Sequence, residues 1–363
     1  MLLEDSIFLI AIILSTSRRY KELLKATGWV SCFLYFQMRF EEQLHKVNQV
    51  FNSKDELIWG EDYFMVNRNK LVQGPITSVS VEMGMAIIQK EDSSVIIHDI
   101  QNGHQYSLNT IGELIAQDTV LHGRWNDDYS ERIVFALNFK TDHTLWEAAK
   151  PIGKAYSDGQ YFFGANESIL SRYDLTTGTV LWSVDLSSYG VYENNGEERH
   201  TGVTTFIGSA SGVLYFKAGN RLILGVEIDT GNILYEVNYL EDQLVLDNLY
   251  IDPENQLIFS IGPLNYIELS LRSPAYELFD ISTEVLEHGV QTTNLGSWMG
   301  KQVYFWEGSD NNKFGAFNRE TKKIEFSHAL PEVKGTLPAI RNVVSVGPKV
   351  YVHDNKFDLN IFS

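Results

Sequence analysis

The sequence predicts an all-β chain: a seven-bladed β-propeller of four-stranded antiparallel blades, with six to eight blades compatible. Three observations predict it. A turn-and-strand unit recurs at intervals of about 40–50 residues, the period of propeller blades. The segments between turns alternate or run apolar over four to eight residues, which suits strands and not helical repeats. Several blade-like segments end on an aromatic at a fixed distance from the turn.

The sharpest unit is residues 173–185, YDLTTGTVLWSVD. Asp174 opens the turn, because an Asp carboxylate accepts hydrogen bonds from backbone amides two residues ahead. Gly178 closes it, since glycine takes positive φ without steric cost. Val180, Leu181, Trp182 and Val184 form the returning strand. Leu224–Tyr235 repeats the pattern with Glu227, Thr230, Gly231 and Tyr235. Further copies are anchored at Gly103, Asp142, Pro274 and Lys322, with a weak one at Asp55 preceding Trp59. Asp142 and Lys322 stand where the sharper copies have glycine.

The pattern Asp174-x-x-Thr177-Gly178-x-x-x-Trp182 resembles the blade motif of the quinoprotein-like (PQQ-type) β-propellers. That family includes quinone-dependent dehydrogenases and a bacterial outer-membrane assembly lipoprotein. The resemblance covers roughly residues 50–363. It implies that the aromatic wedges between neighbouring blades, and it implies nothing specific about chemistry.

In chain order, residues 1–37 form an atypical extension. The run IFLIAIIL is shorter than the ~20 residues a membrane span needs, and acidic Glu4 and Asp5 precede it where a signal peptide is basic. Met38 is the expected start and the cytoplasm the expected compartment; an envelope location is the alternative if residues 1–37 are genuine. Phe40, Leu44, Val47 and Phe51 fall at helical spacing, so 38–52 is expected to be an amphipathic helix. The propeller domain follows over 53–363. Strands are expected at 57–60, 63–67, 76–81, 85–89 and 95–100, and the clearest blade at 151–185. An insertion at 187–202, SSYGVYENNGEERHTG, lengthens one interval. The chain ends on a strand at 359–362, so the C-terminus is expected to complete a blade begun by N-terminal strands.

The net charge is −18 with one cysteine, Cys32, among 363 residues. Such acidity argues against sequence-independent nucleic-acid binding, which needs basic surface. A lone cysteine excludes an internal disulfide, and also the vicinal cysteine pair that quinone enzymes of the resembled family often use. The nine histidines show no metal-ligand spacing, and no nucleophile elbow, phosphate loop or calcium loop is present. The expectation is therefore no enzyme, no cofactor and no metal.

In a four-stranded meander the second-to-third-strand loops and the links between blades share one face. Those loops are acidic, whereas the opposite turns are near neutral. The candidate partner-binding residues are Asp92, Asp127, Asp128, Glu131, Glu167, Tyr192, Glu193, Glu197, Glu198 and Asp310. The expected function is a monomeric, non-catalytic, protein-binding propeller whose acidic face meets a basic protein, without stable membrane insertion. The alternatives are an envelope-associated assembly scaffold and a quinone-dependent or sugar-acting enzyme with its site in the central channel.

Overall fold

The computed structural model describes residues 40–44, 47–51, 55–60, 62–108, 112–125, 132–148, 152–194, 197–219, 221–238, 248–292, 294–307, 312–332 and 338–363. Eight four-stranded antiparallel sheets appear among them. In chain order the blades span 47–73, 76–108, 113–147, 154–185, 203–238, 250–280 and 294–329. The eighth joins three strands from 340–362 to the strand Phe40–Leu44.

The chain is an eight-bladed propeller rather than a seven-bladed one. The expected count rested on turns between third and fourth strands. The eighth blade has no such turn, because its third and fourth strands come from opposite ends of the chain. Phe40–Leu44 pairs with Leu359–Phe362, with Leu44 opposite Leu359. The weak copy at Asp55 is not a blade turn either: Trp59 lies in the second strand of the first blade, Leu57–Gly60. That blade turns at Asn67 and Arg68, whose φ of 48° and 69° are those of a tight hairpin.

The amphipathic helix expected over 38–52 is also corrected. The described residues there are two strands, Phe40–Leu44 and Val47–Phe51. Helical spacing of Phe40, Leu44, Val47 and Phe51 is real, but pairing decides. Each strand satisfies its amides on a neighbour, and Val50 is buried between the eighth and first blades. The described helix is short, α1 (Ser282–His288), and links the sixth and seventh blades.

Eight hydrophobic clusters each fill the gap between two successive blades. One joins Val344, Tyr351 and Ile361 to Ile58 and Tyr63, so the last blade packs on the first and the ring closes. The wedge implied by the motif is present. Trp146 Nε1 donates to Leu175 O at 2.8 Å, and a Cβ on Gly178 would lie 2.5 Å from the Trp146 ring. One blade on, Trp182 Nε1 donates to Ile228 O at 2.8 Å, and a Cβ on Gly231 would lie 2.9 Å from Trp182. Glycine is thus required twice over, by its φ of 68° or 79° and by the indole of the preceding blade.

Candidate partner-binding face

Strand alternation sends the second-to-third-strand turns and the inter-blade links to one end of the blades. Among the described residues, every element outside the blades lies in those links. One is the 3-10 turn Ser187–Tyr189 with the hairpin Val191–Asn194 and Glu197–His200, and the other is α1. The opposite face carries only turns, so one face is elaborated and the other is plain.

The insertion is rooted on both sides. Leu186, fully buried, donates its N–H to Ser168 O at 2.8 Å where the chain leaves the fourth blade. Gly202 re-enters so close that a Cβ would lie 2.0 Å from Glu167 O. Gly219 N donates to Gly202 O at 3.0 Å, and the Tyr192 ring approaches within 3.6 Å of where a Gly219 Cβ would stand. The hairpin therefore rests on the turns of the fourth and fifth blades.

The candidate residues divide into four groups. Glu167, Tyr192 and Glu198 line one cleft of about 860 Å3. Asp92 stands apart, in the exposed turn of the second blade. Its Oδ1 accepts from Ser94 Oγ at 2.5 Å and Ser94 N at 3.0 Å, bonds that hold its carboxyl below the usual range. Glu193 and Glu197 sit in the hairpin strands, and their side chains lie outside the described residues. Asp127, Asp128, Glu131 and Asp310 lie wholly outside the described residues.

Residues not singled out from sequence also line the cleft: Lys154, Asn166, Ser168, Arg199 and His200. Its charge is mixed rather than uniformly acidic. Lys154 Nζ is committed to the carbonyls of Thr204, at 2.5 Å, and Val203, at 3.4 Å. At the root of the hairpin, hydrogen bonds from Ser187 lower the Asp185 carboxyl. These neighbours could not be found by spacing, because they come from different strands and turns of the fourth blade and from the link.

A second cavity of about 460 Å3 opens where the second, third and fourth blades meet, lined by Ser80 and Glu82, by Glu113 and His122, and by Ile152. Burial first, and then the Glu113 charge, raise the Glu82 carboxyl above its ordinary value. Among the described residues no group of three His, Cys, Asp or Glu could hold a metal ion, and no helix is long and apolar enough to cross a membrane.

Fold and face together define a β-propeller elaborated on one side. No family model and no curated protein matches the sequence. Among solved structures, the chain is similar to BamB from Moraxella catarrhalis, with a TM-score of 0.57 at 12% identity over 90% of this chain and 99% of that one. It is also similar to Sqt1 from Saccharomyces cerevisiae, with a TM-score of 0.53 at 13% identity over 90% and 97%. These likenesses establish the propeller fold.

Proposed function

We propose that this protein is a non-catalytic, protein-binding propeller that engages a basic partner through its elaborated face. The observation that carries the reading is the placement of the hairpin and α1 on one face of a ring whose other face is plain. Net charge of −18 supports a basic partner, since like charge repels acidic ones and opposite charge speeds encounter. The protein acts as a monomer in the cytoplasm, which light scattering and cell fractionation test.

The binding experiment compares co-purifying proteins at low and high salt for the native sequence, for the triple change Asp92→Lys, Glu167→Lys and Glu198→Lys, and for Glu254→Lys on the plain face. A basic partner lost in salt and in the triple variant, and kept in the control, is the expected result. A partner equally sensitive to Glu254→Lys, or insensitive to salt, would sink the reading.

One observation favours a channel ligand instead: Glu82 and Glu113 line the same cavity. Paired carboxylates are what sugar chemistry uses. A thermal-shift screen with sugars, repeated on Glu82→Gln, decides it. A shift that depends on Glu82 supports the channel reading, and no shift removes it.

A further inference from the structure

We infer that the partner is captured as an extended basic segment that adds to the free edge of the hairpin strand Glu197–His200. A Lys or Arg of that segment sits between Glu167 and Glu198. This rests on the protein-binding reading above and names its mode.

Backbone geometry comes first. Thr201 N donates to Gly190 O at 2.8 Å. Hydrogen-bonding direction alternates along an antiparallel strand. The register pairs Val191 with His200 and Glu193 with Glu198, so Glu198 and His200 aim their amides and carbonyls away from the partner strand. The hairpin is a sheet of two strands, and among the described residues nothing pairs with that outer edge. Successive side chains of a strand point to opposite faces. Glu198, Arg199 and His200 nevertheless all line the cleft, so the backbone edge itself borders it. An unpaired edge beside a cleft is the geometry of strand addition.

Charge supplies the chemistry of the occupant. The cleft's Lys and Arg are already engaged: Lys154 by two carbonyls, and Arg199 within the protein as well. Glu167 and Glu198 have no hydrogen bond or ion pair among the described residues, and both are exposed. Two such carboxylates lining the cleft beside a free edge select a cationic side chain on the added strand.

The probe is a fluorescein-labelled hexapeptide alternating Lys and Thr, compared with the same peptide N-methylated at alternate amides, which keeps the charge and blocks pairing. Ribonuclease A serves as a folded basic probe. Fluorescence anisotropy is expected to show binding of the hexapeptide, at least tenfold weaker binding of the methylated form, and a similar loss in Glu198→Lys. His200→Pro removes an outward amide without touching the hairpin's own ladder, and is expected to lose binding while His200→Thr retains it. Circular dichroism melts confirm that each variant folds. Equal binding of both peptides overturns strand addition. Binding of ribonuclease A without the hexapeptide overturns it too, and leaves the basic-partner reading standing. If no basic probe binds, both fall.

Discussion

Asp142 and Lys322 occupy the same place in the repeat and are expected to respond oppositely to glycine. Both hold left-handed backbone, with φ of 54° and 58°. That conformation costs a non-glycine residue on the order of 1–2 kcal/mol, less for Asp. Asp142 is exposed and makes no described contact that offsets it. Asp142→Gly should therefore stabilise the protein by roughly 0.5 kcal/mol. Lys322 does offset it. Its Nζ lies 2.6 Å from Glu268 Oε1 and 4.6 and 4.4 Å from the ring centres of Tyr266 and Phe279 in the preceding blade. Lys322→Gly should cost about 1–2 kcal/mol net. Urea titration of the two variants checks the sign of each. Tyr235 gives a third residue-scale expectation. Its hydroxyl is buried and has no hydrogen-bond partner among the described residues, and burial, with the Tyr215 hydroxyl, raises its pKa. Tyr235→Phe should leave stability unchanged or raise it by up to ~1 kcal/mol, because an unpaired buried hydroxyl is lost. A drop of more than that would show a bond the structure does not contain.

Between blades, one position does one job with different chemistry. At two interfaces a glycine turn lies flat on the preceding tryptophan. Gly178→Ala should cost at least ~2 kcal/mol, since both φ and the Trp146 ring oppose a methyl group. Trp182→Phe should cost only about 1 kcal/mol of hydrogen bonding. The reason is that Arg172 Nη1 also donates to Ile228 O, at 2.9 Å, and keeps that carbonyl partnered. In the sixth blade Leu278, the residue expected in the aromatic place, is 41% exposed, and Tyr266 and Phe279 meet Lys322 of the next blade. At the same interface Arg319 is held between Phe259 and Trp298, at 4.3 and 5.1 Å, and pairs with buried Asp252 at 2.6 Å. Removing one partner of such a buried pair strands the other charge, so Asp252→Ala should cost about 3–5 kcal/mol. A thermal melt of Asp252→Ala within ~1 kcal/mol of the native sequence would show that the pair contributes little.

At the scale of the ring, closure and titration govern stability. Deleting residues through Leu44 strips the outer strand from the eighth blade and exposes the edge of Leu359–Phe362. Loss of the cooperative unfolding transition, with aggregation, is the expected result. For pH, burial holds the His98 and His328 imidazoles below their ordinary value. A histidine depressed in the folded state is protonated more readily unfolded, so stability falls as pH drops below about 6.5. Asp252 and Asp174 carry the same sign lower down. Burial raises Asp252, but bonds from Asn255 and Arg319 outweigh it; bonds from Thr177 lower Asp174. Their contribution is present above the unfolded carboxylate value of about 3.9 and is lost as pH falls below it. Glu82 and Glu307, raised by burial, act in the opposite direction. Thermal melts from pH 7 to 5 should decline, and His328→Phe, between Phe314 and Phe326, should flatten that decline.

Local chemistry fixed much of this protein in advance. Turn residues such as Asp174 and Gly178 act within four positions of the chain, so the blade unit, its period and strands such as Leu57–Gly60 were legible from residues alone. Alternation of strand direction made the two faces legible as well. Three features were decided only by tertiary structure. The blade count was hidden because the eighth blade is spliced from both chain ends and has no turn to count. Phe40, Leu44, Val47 and Phe51 carry helical spacing, yet Phe40–Leu44 becomes strand on Leu359–Phe362 from the far end of the chain and Val47–Phe51 on the nearby Leu57–Gly60. The cleft gathers Lys154, Glu167 and Glu198 from separate segments, and whether a carboxylate there is free or engaged depends on contacts that no local pattern encodes.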